Sequence, residues 1–163
     1  MTDIVVMRPG EAKLKDLFKP GTVGKYTVKN RIKYGACCVS NYNGRDGTIT
    51  PRELARVRVI AGTGCGMITN QGAYPDPWGE GKAYFRQVAI HDDKFLPQFE
   101  MIARYIHDAG AMAMQQILHA GRYGGIDLGY CIQPSVVPQT LPHFRPPREM
   151  TKEQIAVTVK QHA

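Results

Sequence analysis

Several things are scarce in this chain, and each scarcity removes a class of function. Cysteine occurs only at Cys37, Cys38, Cys65 and Cys131. These four contain no CxxC pair and no metal-ligand spacing, so no structural metal is expected. A secretory signal is missing too. The one apolar run near the start, Ile4-Val5-Val6-Met7, is broken at once by Arg8, Pro9 and Glu11. The cysteines therefore read as reduced thiols of a cytoplasmic protein. No stretch approaches the roughly 18 apolar residues of a membrane span, so no membrane partner is expected. Basic residues never run beyond a dipeptide, and no zinc-finger or RNA-platform motif is present, which excludes nucleic acid as a partner.

What remains is an ordinary foldable composition. The chain has 163 residues, 43% of them hydrophobic and 21% charged, with a net charge of +7. That is enough for one domain with a buried core. The positive balance favours anionic ligands such as phosphates and coenzyme A esters.

Residues 1–20 read as a mixed leader across the outside of the fold. Residues 22–31 alternate weakly around Gly24-Lys25, which suits a tight hairpin. Ile32 to Val39 reads as a buried strand, and a polar, glycine-rich loop follows at 40–49. Thr50-Pro51-Arg52-Glu53 predicts a helix start with a capping box. Leu54, Val57 and Ile60 continue it at helical spacing until Gly62 and Gly64. Cys65 to Asn70 reads as a second strand. Residues 71–92 form a long irregular stretch that contains the single tryptophan, Trp78, and loops of that length are often functional. A second helix is predicted over 93–109, capped by Asp92 or Asp93, with Phe95, Phe99, Ile102 and Ile106 on one face. Gly110 ends it, and Ala111 to Leu118 reads as a third strand. A proline-rich loop at 123–149 leads to a third helix with a capping box at Thr151 and Gln154.

Strand, helix, strand, helix, strand and the start of a helix imply βαβ units and a parallel sheet. In such folds the loops at the strand C-terminal ends carry function. Three strands cannot close a barrel. The chain is therefore expected to be the N-terminal piece of a longer protein, or to be completed by another chain.

Residues 115–123, QQILHAGRY, crowd polar groups around the end of the third strand. A glutamine amide offers both a donor and an acceptor. One such side chain can meet two neighbouring groups on the pyrimidine edge of an isoalloxazine ring. The other reading is plain: polar loop groups that cap the sheet. The residues alone leave both open.

Three stretches add weight to the first. They are Leu17-Phe18-Lys19-Pro20 followed by Val28-Lys29-Asn30-Arg31, then Gly66-Met67-Ile68-Thr69 leading to Gly72, and then Gln116-Ile117-Leu118-His119-Ala120-Gly121-Arg122-Tyr123. Pro134-Ser135 is supportive. From about residue 14 onward the sequence resembles the N-terminal part of the old yellow enzyme family. Within it, the likeness is to the 2,4-dienoyl-CoA reductase and trimethylamine dehydrogenase branch.

The resemblance implies an α/β fold: the first three βα units of a TIM (β/α)8 barrel, with FMN at the strand C-terminal ends. It places Gln116 on the flavin pyrimidine ring, the Ala36 and Cys37 backbone along the flavin, and Gly72 at its N5/O4 edge, with Gln71 beside it. Cys38 falls where some members place a redox-tuning cysteine; an inert thiol is the alternative. His119 is expected to be structural. Arg122 and Tyr123 are candidates for substrate binding or loop anchoring, and Trp78 for a lid or for loop packing. The family's proton donors and phosphate-gripping loop would lie beyond Ala163. So would the 4Fe-4S, FAD and NAD(P)H sites of the larger branch. The implied activity is reduction of a C=C bond conjugated to a carbonyl, in a small unsaturated carbonyl compound or a CoA ester, with hydride from flavin N5. Amine dehydrogenation, or a non-catalytic subunit that needs the rest of the barrel, are the alternatives. A homo-oligomer is left open.

Overall fold

A hairpin comes first. Strands β1 (Gly21–Val23) and β2 (Tyr26–Val28) pair antiparallel. Gly24 turns between them at φ 57°, a left-handed conformation that glycine adopts at no steric cost. The computed structural model describes residues 14–137 and 145–163. The leader expected at 1–20 thus lies largely outside the described residues. Its last part is tied down where the Arg31 N–H donates to the Leu17 carbonyl at 2.8 Å.

The chain then runs through β3 (Lys33–Tyr34), α1 (Pro51–Ala61), β4 (Met67–Ala73), α2 (Leu96–Asp108) and β5 (Met112–Ile117). The strands form one parallel sheet in the order β3-β4-β5, with a helix in each crossover. Val57 and Ala61 on α1, and Ile102 and Ile106 on α2, recur at i and i+4. Each pair makes one apolar stripe. The stripes close over Ile68 and Ala111, flanked by Tyr34, Leu54, Tyr105 and Ala113. Each fully buried Val or Ile in this layer stabilises the fold by about 1.5–3 kcal/mol.

The hairpin docks at the N-terminal ends of the strands. The Asn30 amide donates to the Gly64 carbonyl at 2.8 Å, and Lys29 Nζ donates to the Ala109 carbonyl at 2.6 Å. That end is filled, and the opposite end is left for loops.

Several local expectations change. The first strand was expected over Ile32 to Val39, yet only Lys33 and Tyr34 enter the ladder. Gly35 and Ala36 have weak strand preference, and the chain leaves the sheet there. The second strand starts later and runs longer than Cys65 to Asn70, ending at Ala73 with every residue buried. No capping box forms at Thr50. Its hydroxyl donates to the Tyr42 carbonyl instead, and Glu53 turns into the interior toward Arg56. Asp92 does cap, accepting from the Lys94 N–H at 2.9 Å, but over a short 3-10 turn, Asp93–Phe95, ahead of α2.

The expected loop at 123–149 contains structure. Strands β6 (Cys131–Gln133) and β7 (Pro147–Glu149) pair in parallel, and β6 is fully buried. Three-residue strands set among prolines give no readable period, and Pro147 is tolerated as the first residue of its strand. Helix α3 (Lys152–Gln161) opens with the expected capping box: Gln154 N–H to Thr151 Oγ1 at 3.2 Å, and Thr151 N–H to Gln154 Oε1 at 2.8 Å. Among the described residues no helix is long and apolar enough to cross a membrane, and no cluster of His, Cys, Asp or Glu could hold a metal.

Candidate functional site at the strand ends

Strand alternation sorts the polar residues onto two faces. Ile68 and Ala113 pack toward the helices. Thr69 and Met114 follow them and meet on the other face, Oγ1 to Sδ at 4.0 Å. One residue further, Asn70 and Gln115 return to the helix side. There Arg56 Nη2 reaches Asn70 Oδ1 at 3.5 Å, and Asn70 Nδ2 donates to Gln115 Oε1 at 3.0 Å. Gln115 Nε2 then donates to the backbone carbonyls of Gln71 (2.7 Å) and Gln116 (2.8 Å). A side-chain relay from α1 thus pins the backbone at the ends of both strands.

The relay is anchored by a buried ion pair. Glu53 is fully buried, and its carboxylate takes Arg56 Nη2 at 2.6 Å and Nε at 2.9 Å. Burial works against the guanidinium charge, but the hydrogen bond and charge of Glu53 outweigh it and hold Arg56 above its usual pKa.

At the next step the register slips. Asn70 pairs with Gln115 but Ala73 pairs with Ile117, so β4 carries one extra residue. Such a bulge re-aims side chains and is frequent beside active sites. Here it places Gly72 against Gln116 and Leu118. A Cβ on Gly72 would lie 3.0 Å from Gln116 Oε1 and 2.6 Å from Leu118 Cβ. The Gly72 carbonyl accepts from Gln87 Nε2 at 2.9 Å and from the Tyr84 hydroxyl at 3.3 Å. The single Tyr84 hydroxyl proton is shared between that carbonyl and Gln71 Oε1, which at 2.8 Å is the nearer acceptor.

Two amides at this end have unused capacity. Gln116 is exposed, and its side chain makes no hydrogen bond among the described residues. Gln71 is fully buried, and its Nε2 has no partner among them. A buried donor left unpaired costs about 1–3 kcal/mol, so a ligand acceptor here would be stabilising. The residues present therefore fit the ring end of a flavin. One free donor–acceptor amide faces outward, a glycine lets the Gln116 and Leu118 side chains close against the bulge, and a buried donor lacks its acceptor.

The end of β3 joins the same cluster. Ala36 is half-buried, while Cys37 and Cys38 are exposed free thiols. The neighbouring Cys37 thiol, together with burial, pushes the pKa of the Tyr34 phenol up. Burial pushes the Tyr84 phenol far up as well, and the neighbouring Cys38 adds to it. Tyr84 thereby links Cys38 to Gln71 and Gly72.

The remaining candidates lie apart from this cluster. His119 Nδ1 accepts from the Gly121 N–H at 3.1 Å, so a neutral ring carries its proton on Nε2, which is buried and unpartnered. Burial lowers its pKa, which keeps the ring neutral at pH 7. Arg122 and Tyr123 sit on an exposed 3-10 turn, Gly121–Tyr123, where Arg122 Nη2 donates to Tyr123 Oη at 3.0 Å. Trp78 is 60% exposed and lines a hollow of about 430 Å³ with Tyr130 and α3 residues. That lining includes neither Gly72 nor Gln116.

The sequence reading missed Tyr84, Gln87 and the Glu53–Arg56–Asn70 relay. Only the length of the 71–92 loop pointed toward the first two.

A parallel sheet with crossover helices and polar groups gathered at its C-terminal edge is the arrangement of an α/β protein that carries its chemistry at the strand ends. The model of the NADH:flavin oxidoreductase / NADH oxidase family matches residues 16–163, and the chain belongs to that family. Its structure is similar to a 2-naphthoyl-CoA reductase solved with 2-naphthoyl-CoA, at 31% identity and a TM-score of 0.83. That match covers 91% of this chain and 24% of the reductase. The old yellow enzyme homologue from Zymomonas mobilis matches at 23% identity and TM-score 0.74, over 90% of this chain and 43% of its own. Old yellow enzyme from Pichia sp. AKU4542 matches at 22% and 0.77, over 90% and 40%. The last two likenesses speak to the fold alone. The chain spans less than half the length of each of these structures. Its fold is the N-terminal portion of a (β/α)8 barrel.

Proposed function

We propose that the complete protein is an FMN-dependent reductase of C=C bonds conjugated to a carbonyl, and that the end of this sheet holds the flavin ring. The observation that carries the reading is the free Gln116 amide standing against Gly72 at the bulge. Gln116 would donate to one group of the pyrimidine edge and accept from its neighbour. Gly72, with no Cβ, would let the Gln116 side chain lie against the strand end in the position that meets the ring. Arg56, Asn70 and Gln115 would hold that backbone still, and Cys38 would lie near the reacting edge. FMN bound there supplies hydride transfer between a nicotinamide and the unsaturated carbon.

A CoA thioester is the favoured substrate class. The likeness to an aryl-CoA reductase at 31% identity supports it, as does the 2,4-dienoyl-CoA reductase resemblance and the net charge of +7. A 4Fe-4S cluster or FAD would belong to residues other than these.

Gln116→Leu, made in the complete protein, tests the reading. It removes both hydrogen-bond partners and leaves flavin polar atoms unsatisfied, at about 1–3 kcal/mol, or roughly 5- to 140-fold in Kd. FMN fluorescence titration reads this directly. An unchanged Kd removes Gln116 from the site.

A further inference from the structure

The bulge passes over Gln71 and Gly72, since Asn70 pairs with Gln115 and the next pair is Ala73 with Ile117. Both residues are buried, and a buried carbonyl outside the ladder needs another donor. Side chains supply it. The Gln71 carbonyl accepts from Gln115 Nε2 at 2.7 Å, and the Gly72 carbonyl is met by Gln87 and Tyr84 from the long loop after β4. Gln87 is fully buried and uses both ends of its amide. Its Nε2 donates to the Gly72 carbonyl at 2.9 Å, and its Oε1 accepts from the Ala83 N–H at 2.7 Å. The Gln87 N–H in turn donates to the Tyr84 carbonyl at 3.2 Å. The 83–87 turn is thus closed on itself and fixed to the end of β4.

The same turn is fixed to the chain leaving β3. The Phe85 carbonyl accepts from the Asn41 N–H at 3.0 Å and from the Ser40 hydroxyl at 3.5 Å. Ser40 and Asn41 follow directly on Cys37-Cys38-Val39. Asn41 and Arg86, on the two touching segments, hold left-handed backbone at φ 64° and 56°. Such conformations in non-glycine residues persist only where the surrounding contacts over-determine them. The turn is therefore a brace between the ends of β3 and β4.

Tyr84 stands at the centre of this brace. Its hydroxyl proton lies between Gln71 Oε1 at 2.8 Å and the Gly72 carbonyl at 3.3 Å. Burial, and then the neighbouring Cys38 thiol, push the phenol pKa far up, so the hydroxyl keeps its proton at every working pH. The positive end of the O–H dipole thus faces two oxygens of the bulge and offsets their negative potential. The surroundings are buried, so the offset is screened little.

We propose that Tyr84 is a positioning residue for the flavin: it braces the bulge to the end of β3, and its hydroxyl sets the potential that reduced FMN meets at the strand ends. The proposal rests on the flavin reading above. Uptake of two electrons and one proton makes the bound ring an anion, so negative potential at the bulge disfavours the reduced form more than the oxidised form. The Tyr84 hydroxyl acts against that bias through Gln71 and Gly72, without touching the ring itself.

The test is the flavin midpoint potential of the complete protein, read by reductive titration against indicator dyes, with thermal stability measured alongside. Tyr84→Phe keeps the ring and removes the hydroxyl. It should weaken the hold on reduced FMN about fivefold more than the hold on oxidised FMN, the effect of one neutral hydrogen bond. For a two-electron couple that lowers the potential by about 20 mV. Replacing Tyr84 by 3-fluorotyrosine keeps the ring and makes the hydroxyl a stronger donor. Burial keeps that phenol protonated too, so the potential should rise. Shifts of opposite sign support the proposal. Any other pair of results overturns it, and lost stability with an unmoved potential would leave Tyr84 as packing. Should Tyr84→Phe not fold, the fluorinated protein decides alone: a rise supports the proposal and no rise overturns it. Flavin content is read separately from the visible absorption of the wild type. A yellow wild type whose potential ignores both changes sinks this proposal only, whereas a colourless wild type sinks the flavin reading and this proposal with it.

Discussion

Gly72→Ala, in the complete protein, probes the strand ends at their tightest point. On the observed backbone the new methyl would sit 2.6 Å from Leu118 Cβ, 2.7 Å from Leu118 Cδ2 and 3.0 Å from Gln116 Oε1. Carbon atoms in contact sit about 3.5–4.0 Å apart, so about 1 Å must be found. Leu118 Cδ2 can rotate away. Its Cβ cannot, because the Leu118 backbone is held by its N–H donating to the Ala73 carbonyl at 2.8 Å. The two strands must therefore part at the bulge. Overpacking of this kind costs about 1–3 kcal/mol. The shift also disturbs the Gln87 and Tyr84 bonds to the Gly72 carbonyl, and one lost bond adds about 1 kcal/mol. The expected loss is about 2–4 kcal/mol, read from denaturant midpoints, with weaker FMN binding by fluorescence titration. Gly62→Ala is the control. Gly62 has φ −68°, and its nearest atoms lie 3.5 Å from the added Cβ, so the change should stay within about 1 kcal/mol of wild type. If Gly72→Ala matches wild type in both stability and FMN affinity, the close approach at the bulge is not what shapes this site.

Three further outcomes follow from other parts of the cluster. Arg56→Leu leaves the Glu53 carboxylate buried and unpaired, and should cost about 3–5 kcal/mol; replacing both by leucine should cost much less, and equal losses would refute the buried-pair account. Cys38→Ala should shift the flavin midpoint potential with little change in thermal stability; a redox titration superimposable on wild type would leave Cys38 as packing. His119 faces Asp76, Glu80 and His162, and burial holds its folded pKa below the unfolded value of about 6.5. The unfolded chain therefore takes up the proton first, so this contribution is complete above about pH 6.5 and is lost as pH falls toward the lowered folded value. His119→Gln should flatten the stability profile in that window; parallel profiles for the two proteins would assign the acid sensitivity elsewhere.

What the sequence discloses about this fold depends on whether the deciding contact is local. Thr50-x-x-Glu53 and Thr151-x-x-Gln154 carry the same helix-start pattern, yet only the second forms a capping box. At Thr151 the helix start is exposed, and the local bonds meet no competitor. At Thr50 the hydroxyl is taken by the carbonyl of Tyr42, eight residues back in the preceding loop, and Glu53 lies buried against Arg56 at i+3 instead of turning back to the cap. The helices α1 and α2 are legible because their apolar stripes repeat within one turn. The β6–β7 pair is not, because three-residue strands carry no period and their partners lie 16 residues apart. The site divides the same way. Gln116 and Gly72 stand out through the motif stretches that hold them, whereas the bulge that brings them together is a property of two strands in register. Tyr84 and Gln87 sit in a loop whose spacing is uninformative. Their bonds to Gln71 and Gly72 exist only after that loop has been folded onto the strand ends. Polar chemistry at a barrel edge is assembled from separate loops, so a sequence read along its length finds the strands that present the site sooner than the loops that complete it.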